Sequence, residues 1–450
     1  MGAGVGVGSI AVNPASTAGS EPTILHLVTD LRLGGTQRIL LERVRGLRRF
    51  RHAVLFFAPH TGDPRAGRGR DLRPEFEAAG ARLFDLGLPT RTRAARAWLS
   101  GALGRRGAEV VRETTPALLH STLFHTHLLG DLLARRQGLP HLASKEGTDD
   151  WMGPGERAWE RRVLSRVERA AAVSEAVAIE LRRLGVGPER IAVIPNGIDP
   201  AHPGDWAMPP APEASSARAR SDRLLGIGRL EKSKGWEDLI EALALVRQSH
   251  PEASLDLLGT GSLESRLRRQ AARLGLAGCV RLPSLIRSAP GTAPSPPAPS
   301  PPAPALPVSP AGRAAGPSSA DEGLGSDPPE DAPPPLVVVP SREEGFGLVL
   351  VEAMARGCAL VACAVGGIPE IARHEQEALL VPPARPRALA AAIDRLLSDP
   401  GLSRRLAQAA RARAGLFTAQ RMVQAYGALY DSLLSGRDRA GSDRHRGAQR

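Results

Sequence analysis

The run Leu336-Val337-Val338-Val339-Pro340-Ser341-Arg342-Glu343-Glu344-Gly345-Phe346-Gly347-Leu348-Val349-Leu350-Val351-Glu352 decides the fold. Its first four residues are apolar and mostly β-branched, which predicts a buried strand ending at Pro340. A Gly-x-Gly turn follows, and then a helical pattern. That order puts Gly345 and Gly347 at a helix N-terminus, where backbone N–H groups and the dipole favour an anion. Glycine there also lets a ligand come close to the backbone. Glu344 falls in the loop and Glu352 inside the helix. Their spacing could turn both carboxylates to one cleft, as acceptors for hydroxyls. Taken alone, the stretch would equally suit an ordinary strand–loop–helix with two solvated glutamates.

The same rhythm extends in both directions. Toward the N-terminus, strands are expected at Ile24–Val28, Ala53–Ala58, Ala117–His120, Ala170–Val173 and Ile191–Ile194, with an amphipathic helix through Ile39–Leu47. Residues 201–222 lose all periodicity and read as a linker. The pattern restarts at Arg223–Ile227, a helix through Trp236–Val246 and Ser254–Leu258, and resumes at Leu336–Val339 and Ala359–Cys363. Short apolar strands alternating with helices predict parallel sheets. The expectation is an α/β protein with two doubly wound, Rossmann-like domains, 21–200 and 223–402, facing a cleft. Ligands in such folds bind at the carboxyl ends of the strands. Residues 289–335 hold 16 of the chain's 40 prolines, so they cannot build a core and read as a disordered insertion. Residues 403–434 regain helical spacing. Residues 1–20 and 435–450 read as loose tails.

Composition narrows the classes. Lys+Arg is 59 and Asp+Glu 47, a net charge of +12 spread along the chain. It permits an anionic partner or a membrane surface. Aromatic residues are only 3%, which supplies few stacking platforms for single-stranded nucleic acid, so no nucleic-acid partner is expected. No apolar run is long enough for a transmembrane helix. Three cysteines, Cys279, Cys358 and Cys363, make neither a disulfide framework nor a spaced zinc site, which suits a reducing cytoplasm.

Four further motifs carry chemistry. Gly226-Ile227-Gly228-Arg229-Leu230-Glu231-Lys232-Ser233-Lys234-Gly235 follows a strand, where Arg229 and Lys234 could hold a diphosphate. Only three lysines occur, Lys145, Lys232 and Lys234, and two of them are here. Gly259-Thr260-Gly261 is a plainer strand-end turn. His120, His125 and His127 cluster after a strand without the acidic or thiol partners of a known metal site. Leu33-Gly34-Gly35-Thr36-Gln37-Arg38 opens a helix and could approach a phosphate, but it lacks the dinucleotide fingerprint.

In order, these segments resemble the retaining family-4 glycosyltransferases of the GT-B fold. The likeness runs through Gly34-Gly35-Thr36-Gln37-Arg38, His120-Ser121-Thr122-Leu123-Phe124-His125, Ala172-Val173-Ser174-Glu175 and Val193-Ile194-Pro195-Asn196-Gly197-Ile198-Asp199. It continues through Gly228-Arg229-Leu230, Lys234-Gly235, the Glu344/Glu352 pair, Gly366-Gly367-Ile368-Pro369-Glu370 and Phe417-Thr418-Ala419-Gln420-Arg421-Met422. The resemblance implies transfer of a sugar from a UDP-, GDP- or ADP-sugar to a hydroxyl of a glycan or lipid-linked glycan, with no metal or other cofactor. It implies that Arg229 and Lys234 bind the diphosphate, that Glu344 contacts the sugar and that Glu352 contacts the ribose. Backbone groups of Gly345, Phe346, Gly347 and Leu348 would touch sugar and phosphate, and Gly34 and Gly35 would complete that site. His125, with His120 second, would be the acceptor-side histidine near the anomeric carbon. A C-terminal helix near Met422–Tyr430 would cross back to the first domain.

The chain departs from the family pattern at three places. Thr122 stands where a second histidine is usual. Ser144-Lys145-Glu146-Gly147 stands where many members carry another histidine. The Pro-rich stretch replaces a turn and helix that help enclose the base. The alternatives are a non-catalytic GT-B binding protein and a sugar-nucleotide epimerase of the same fold. The expected setting is cytoplasmic, with peripheral contact to the inner face of a membrane.

Overall fold

The computed structural model describes residues 21–57, 70–87, 101–147, 152–199, 222–282 and 336–447. The N-terminal tail, nearly all of the expected linker and the Pro-rich stretch lie outside them.

The first half is a seven-stranded, wholly parallel sheet. Chain order gives β1 (Thr23–Val28), α1 (Gly35–Gly46), β2 (Arg51–Phe56), α2 (Arg73–Ala78), β3 (Arg82–Asp85), α3 (Ala102–Thr114) and β4 (Leu118–Thr122). It continues with α4 (Phe124–Gln137), β5 (His141–Lys145), α5 (Pro154–Leu164), β6 (Arg169–Ala172), α6 (Glu175–Arg183) and β7 (Ile191–Val193). The spatial order is β3-β2-β1-β4-β5-β6-β7. Thr-Ile-Leu-His-Leu-Val in β1 is buried throughout, as a central strand covered on both faces must be.

The second half is a six-stranded parallel sheet in the order β10-β9-β8-β11-β12-β13. Its elements are β8 (Arg223–Ile227), α7 (Trp236–Val246), β9 (Ser254–Leu258), α8 (Glu264–Arg273), β10 (Val280–Arg281) and β11 (Leu336–Val339). Then come α9 (Leu348–Ala355), β12 (Ala359–Cys363), α10 (Ile368–Ile371), β13 (Leu379–Val381) and α11 (Pro386–Ser398). The doubly wound, two-sheet α/β architecture is the one the sequence pattern implies.

Residues 403–434 are not one helix. In α12 (Pro400–Ala414), the Asp399 carboxylate accepts from Leu402 N at 2.9 Å, and the helix stays on the second half. α13 (Ala419–Gly447) crosses to the first sheet. Met422, Tyr426, Leu429 and Tyr430 join Ile24, Leu118 and Leu142 in one apolar cluster. The helix runs through most of the segment expected as a tail. Once nucleated it gains a hydrogen bond per residue, and no proline stops it. A second cluster bridges the halves, with Val173, Val177 and Ile198 from one side and Phe346, Leu350 and Ile368 from the other. Phe417 belongs to it and meets Phe346 edge to face at 5.8 Å. Among the described residues, no helix is long and apolar enough to cross a membrane.

Candidate active site

Each sheet reverses its winding once, between β1 and β4 and between β8 and β11. Crevices open outside the carboxyl ends of strands at such points. Gly34 and Gly35 follow β1, His125 follows β4, Lys234 follows β8 and Glu344 follows β11. Topology thus brings four separate sequence signals to the two switch points.

On the second half, Lys232–Lys234 forms one 3-10 turn ending at Gly235, whose φ of 68° is left-handed. A Cβ there would lie 2.0 Å from the Pro340 carbonyl oxygen, so only glycine lets this turn press against the loop after β11. The loop is tied down further by Arg342, which grips Asp238 on α7 through two bonds of 2.9 and 2.8 Å. Lys234 Nζ then reaches Glu344 Oε2 at 2.6 Å, and Ser341 Oγ donates to the same oxygen at 3.1 Å. Arg229 is turned outward, 72% exposed and paired with Glu231 at 2.8 Å. Phe346 is buried in the core, so only its backbone is available to a ligand.

Two helix N-termini meet beside this pair. Gly34 is the N-cap of α1 and Gly347 that of α9, and neither end has a side-chain cap. Their first backbone N–H groups therefore lack the usual side-chain acceptor. The two ends touch, since a Cβ on Gly35 would stand 3.1 Å from Leu348 Cδ1. One turn on, Arg38 Nη1 on α1 bonds Glu352 Oε1 on α9 at 2.5 Å. The Glu352 side chain is only 2% exposed. As placed, it meets an arginine from the opposite half, and its carboxylate is not open to the cleft. A cavity of about 270 Å³ lies along this contact, walled by Arg38, Asp199 and Leu348 among others.

The seam has further polar ties. Ser174 Oγ donates to the Gly345 carbonyl at 2.7 Å. Glu370 lies at the N-terminus of α6 and accepts from the backbone of Glu175 and Ala176 at 2.8 and 2.9 Å. Glu146, at the end of β5, has its carbonyl against Gly345. Its Oε2 accepts from Asn196 Nδ2 at 3.1 Å. Burial pushes the Glu146 carboxyl upward, against the Coulomb pull of Arg43 and the Asn196 bond. Glu146 Oε1 and Asn196 Oδ1 are buried without a hydrogen-bond partner among the described residues. The sequence flagged Glu146 only as a departure from pattern. Its nearness to Gly345 depends on a contact between halves that no local signal shows.

The histidines separate into two kinds. His125 is exposed at the first turn of α4, after Leu123, whose φ of 77° turns the chain sharply. His120 does not reach the cleft. β4 runs past it to Thr122, so it sits inside a central strand and is 1% exposed. Its Nδ1 meets Tyr430 Oη at 2.6 Å and its Nε2 meets Ser144 Oγ at 2.7 Å. Burial, reinforced by the Arg43 charge, holds its imidazole well below 6.5. His127 is likewise buried, bonded to Ser121 Oγ at 2.8 Å. Among the described residues, no group of His, Cys, Asp or Glu is placed to hold a metal ion.

Comparison with known proteins identifies the family of both halves. The pattern of the family described as Glycosyltransferase Family 4 matches residues 33–202. That of Glycosyl transferases group 1 matches 211–285 and 335–413, breaking across the Pro-rich stretch. A D-inositol 3-phosphate glycosyltransferase of Acidothermus cellulolyticus is 32% identical over 375 residues, covering 77% of this chain and 68% of that protein. The counterpart in Salinispora arenicola is 30% identical over 368 residues, covering 75% of each. In fold, the chain is similar to Anabaena HepE, solved with UDP and glucose, at a TM-score of 0.67 and 20% identity over 91% of this chain and 99% of that one. Sucrose-phosphate synthase of Thermosynechococcus elongatus gives the same TM-score and identity over 92% and 100%. Two parallel sheets, motifs at both switch points and family patterns laid in order across both halves make this chain a glycosyltransferase of group 1 and family 4, with the GT-B fold.

Proposed function

We propose that the chain moves a sugar, with retention of anomeric configuration, from a UDP-, GDP- or ADP-sugar to a hydroxyl of a glycan or lipid-linked glycan. The observation that carries this reading is the meeting of two uncapped helix N-termini, at Gly34–Gly35 and Gly347–Leu348, beside the Lys234–Glu344 pair. Two positive helix ends and a lysine form a site suited to a diphosphate. The charge that grows on the leaving diphosphate is best offset by groups already fixed around it.

In this reading Lys234 exchanges part of its contact with Glu344 for phosphate oxygens, leaving the carboxylate to accept from sugar hydroxyls. Arg229 swings in from its exposed pairing with Glu231. Glu352 receives the ribose hydroxyls once Arg38 gives way. His125 faces the acceptor side, and His120 is a structural residue. The HepE complex holds UDP and glucose, which supports a uridine nucleotide as the first donor to try.

The test is a thermal-shift series with UDP, GDP, ADP and their sugars, on the parent and on Lys234→Ala. A ligand at a hundredfold its Kd stabilises by about 2.7 kcal/mol. Stabilisation by one nucleotide, lost in the variant, is expected. A cooperative melt that no nucleotide shifts would refute the donor site.

A further inference from the structure

Outside the cleft, the most distinctive surface is a groove of about 570 Å³ between α4 and α5. Phe124, Leu128, Leu132, Trp159 and Val163 give it an apolar lining. Trp159 is 55% exposed, the most exposed large hydrophobic among the described residues. Apolar surface rimmed by charged side chains is the composition of a docking surface. Arginines occupy the rest of the groove: Arg135, Arg136, Arg162 and Arg166. A single acid, Asp131, answers them, bonding Arg166 at 3.2 Å and standing 3.9 Å from Arg135. Arg136 and Arg162 are exposed, and among the described residues no opposite charge bridges them.

From these observations we infer that the α4–α5 face docks on an anionic phospholipid bilayer, with an acyl chain in the groove, Trp159 at the depth of the headgroups and the arginines on lipid phosphates. Charge and shape together select this occupant. Guanidinium forks match phosphate oxygens. An indole with one apolar and one polar edge suits the membrane interface. An apolar stripe bordered by basic residues is the pattern of helices lying in that interface. The groove begins at Phe124, the neighbour of His125. Docking there would hold the start of α4 toward the bilayer, so an acceptor carried on a lipid would meet the cleft from the first half. That last consequence rests on the lipid-linked acceptor reading above; the docking itself does not.

The test uses the purified full chain with vesicles of phosphatidylcholine alone, or with phosphatidylglycerol added. Sedimentation measures binding, and quenching of tryptophan by brominated lipid measures depth. Binding only to the phosphatidylglycerol vesicles is expected. Arg136→Glu/Arg162→Glu should weaken it roughly 30-fold or more, taking about a tenfold loss per 1.4 kcal/mol and about 1 kcal/mol per basic residue. Arg269→Glu/Arg273→Glu, on α8 of the other half, should leave it unchanged. Quenching should fall in Trp159→Phe. Equal binding to neutral vesicles, no effect of the first charge reversal, or quenching unchanged in Trp159→Phe would overturn the proposal. So would a photocrosslinker at position 159 that finds an acidic protein while vesicles are ignored. A chain that still binds its nucleotide but not the vesicles would fail this proposal alone.

Discussion

Replacing Gly345 by alanine tests whether the seam between the halves sets the reaction geometry. An added Cβ would lie 1.9 Å from the Glu146 carbonyl oxygen, 2.7 Å from its carbon and 2.8 Å from Gly147 Cα. All three are backbone atoms of the opposite half, so no side chain can rotate away. Ordinary contact begins near 3.4 Å, and the loop must therefore withdraw by more than an ångström. That loop leads directly into α9, and the Gly345 carbonyl holds the Ser174 hydroxyl. A misplacement of about 1 Å at a reacting centre costs on the order of 10²-fold. The stability cost should be that of overpacking, about 1–3 kcal/mol, because each sheet also has an apolar cluster away from the seam. The assay is kcat/KM with the donor found by thermal shift, alongside a melting curve. We expect kcat/KM to fall about 100-fold in a protein that still melts cooperatively. Gly278→Ala, where a Cβ meets nothing within 4 Å, is the control. Parental kcat/KM in a folded Gly345→Ala protein would refute the argument.

Three other perturbations follow from buried chemistry. Lys145 and Glu160 pair at 2.8 Å, each 2% exposed; Lys145→Met should cost about 3–5 kcal/mol by denaturant titration, and Lys145→Met/Glu160→Leu should recover much of it. Additive losses would contradict this. His26, His52, His120, His127 and His141 are all held below 6.5 chiefly by burial, His141 down to about 4. Because the unfolded chain binds protons that these residues refuse, their contribution is intact above 6.5 and fades as pH drops from there toward 4. The melting temperature should fall across that window, and a flat profile would contradict it. Burial pushes the Cys358 and Cys363 thiols up to about 12, whereas Cys279 is partly exposed. A thiol reagent should therefore titrate one cysteine in the native protein and all three after denaturation; rapid native labelling of Cys358 would contradict the packing.

The strands that could be read from sequence were those whose burial is written in apolar side chains. Arg223–Ile227, Ser254–Leu258, Leu336–Val339 and Ala359–Cys363 form where apolar runs place them. β5 escaped because His-Leu-Ala-Ser-Lys looks solvated. Its polar groups are satisfied from far along the chain, Lys145 by Glu160, Ser144 by His120 and His141 by Ser121. β3 is four residues long and half exposed, too slight for alternation to register. The apolar run Ala117–His120 puts His120 at a strand end, yet two more buried residues follow it in β4. For Glu352, the spacing from Glu344 carries no information about Arg38, which lies 314 residues earlier. Lys234 and Glu344 were legible because a Gly turn, a charge and a strand end coincide locally, and the fold only had to bring the two loops together.

The helix that leaves the second half to lie on the first has a consequence for how the chain is made. Tyr426 and Tyr430 supply hydroxyls to Ser144 and His120, and Arg43 lies over the Tyr426 ring at 4.5 Å. The first sheet is synthesised early, but these partners leave the ribosome only after the whole second sheet. Until they arrive, the inner strands keep an open aromatic socket and polar groups without their final partners. Maturation of the first half is thus timed by completion of the second, and a nascent chain halted before residue 419 would expose that socket to chaperones or to aggregation.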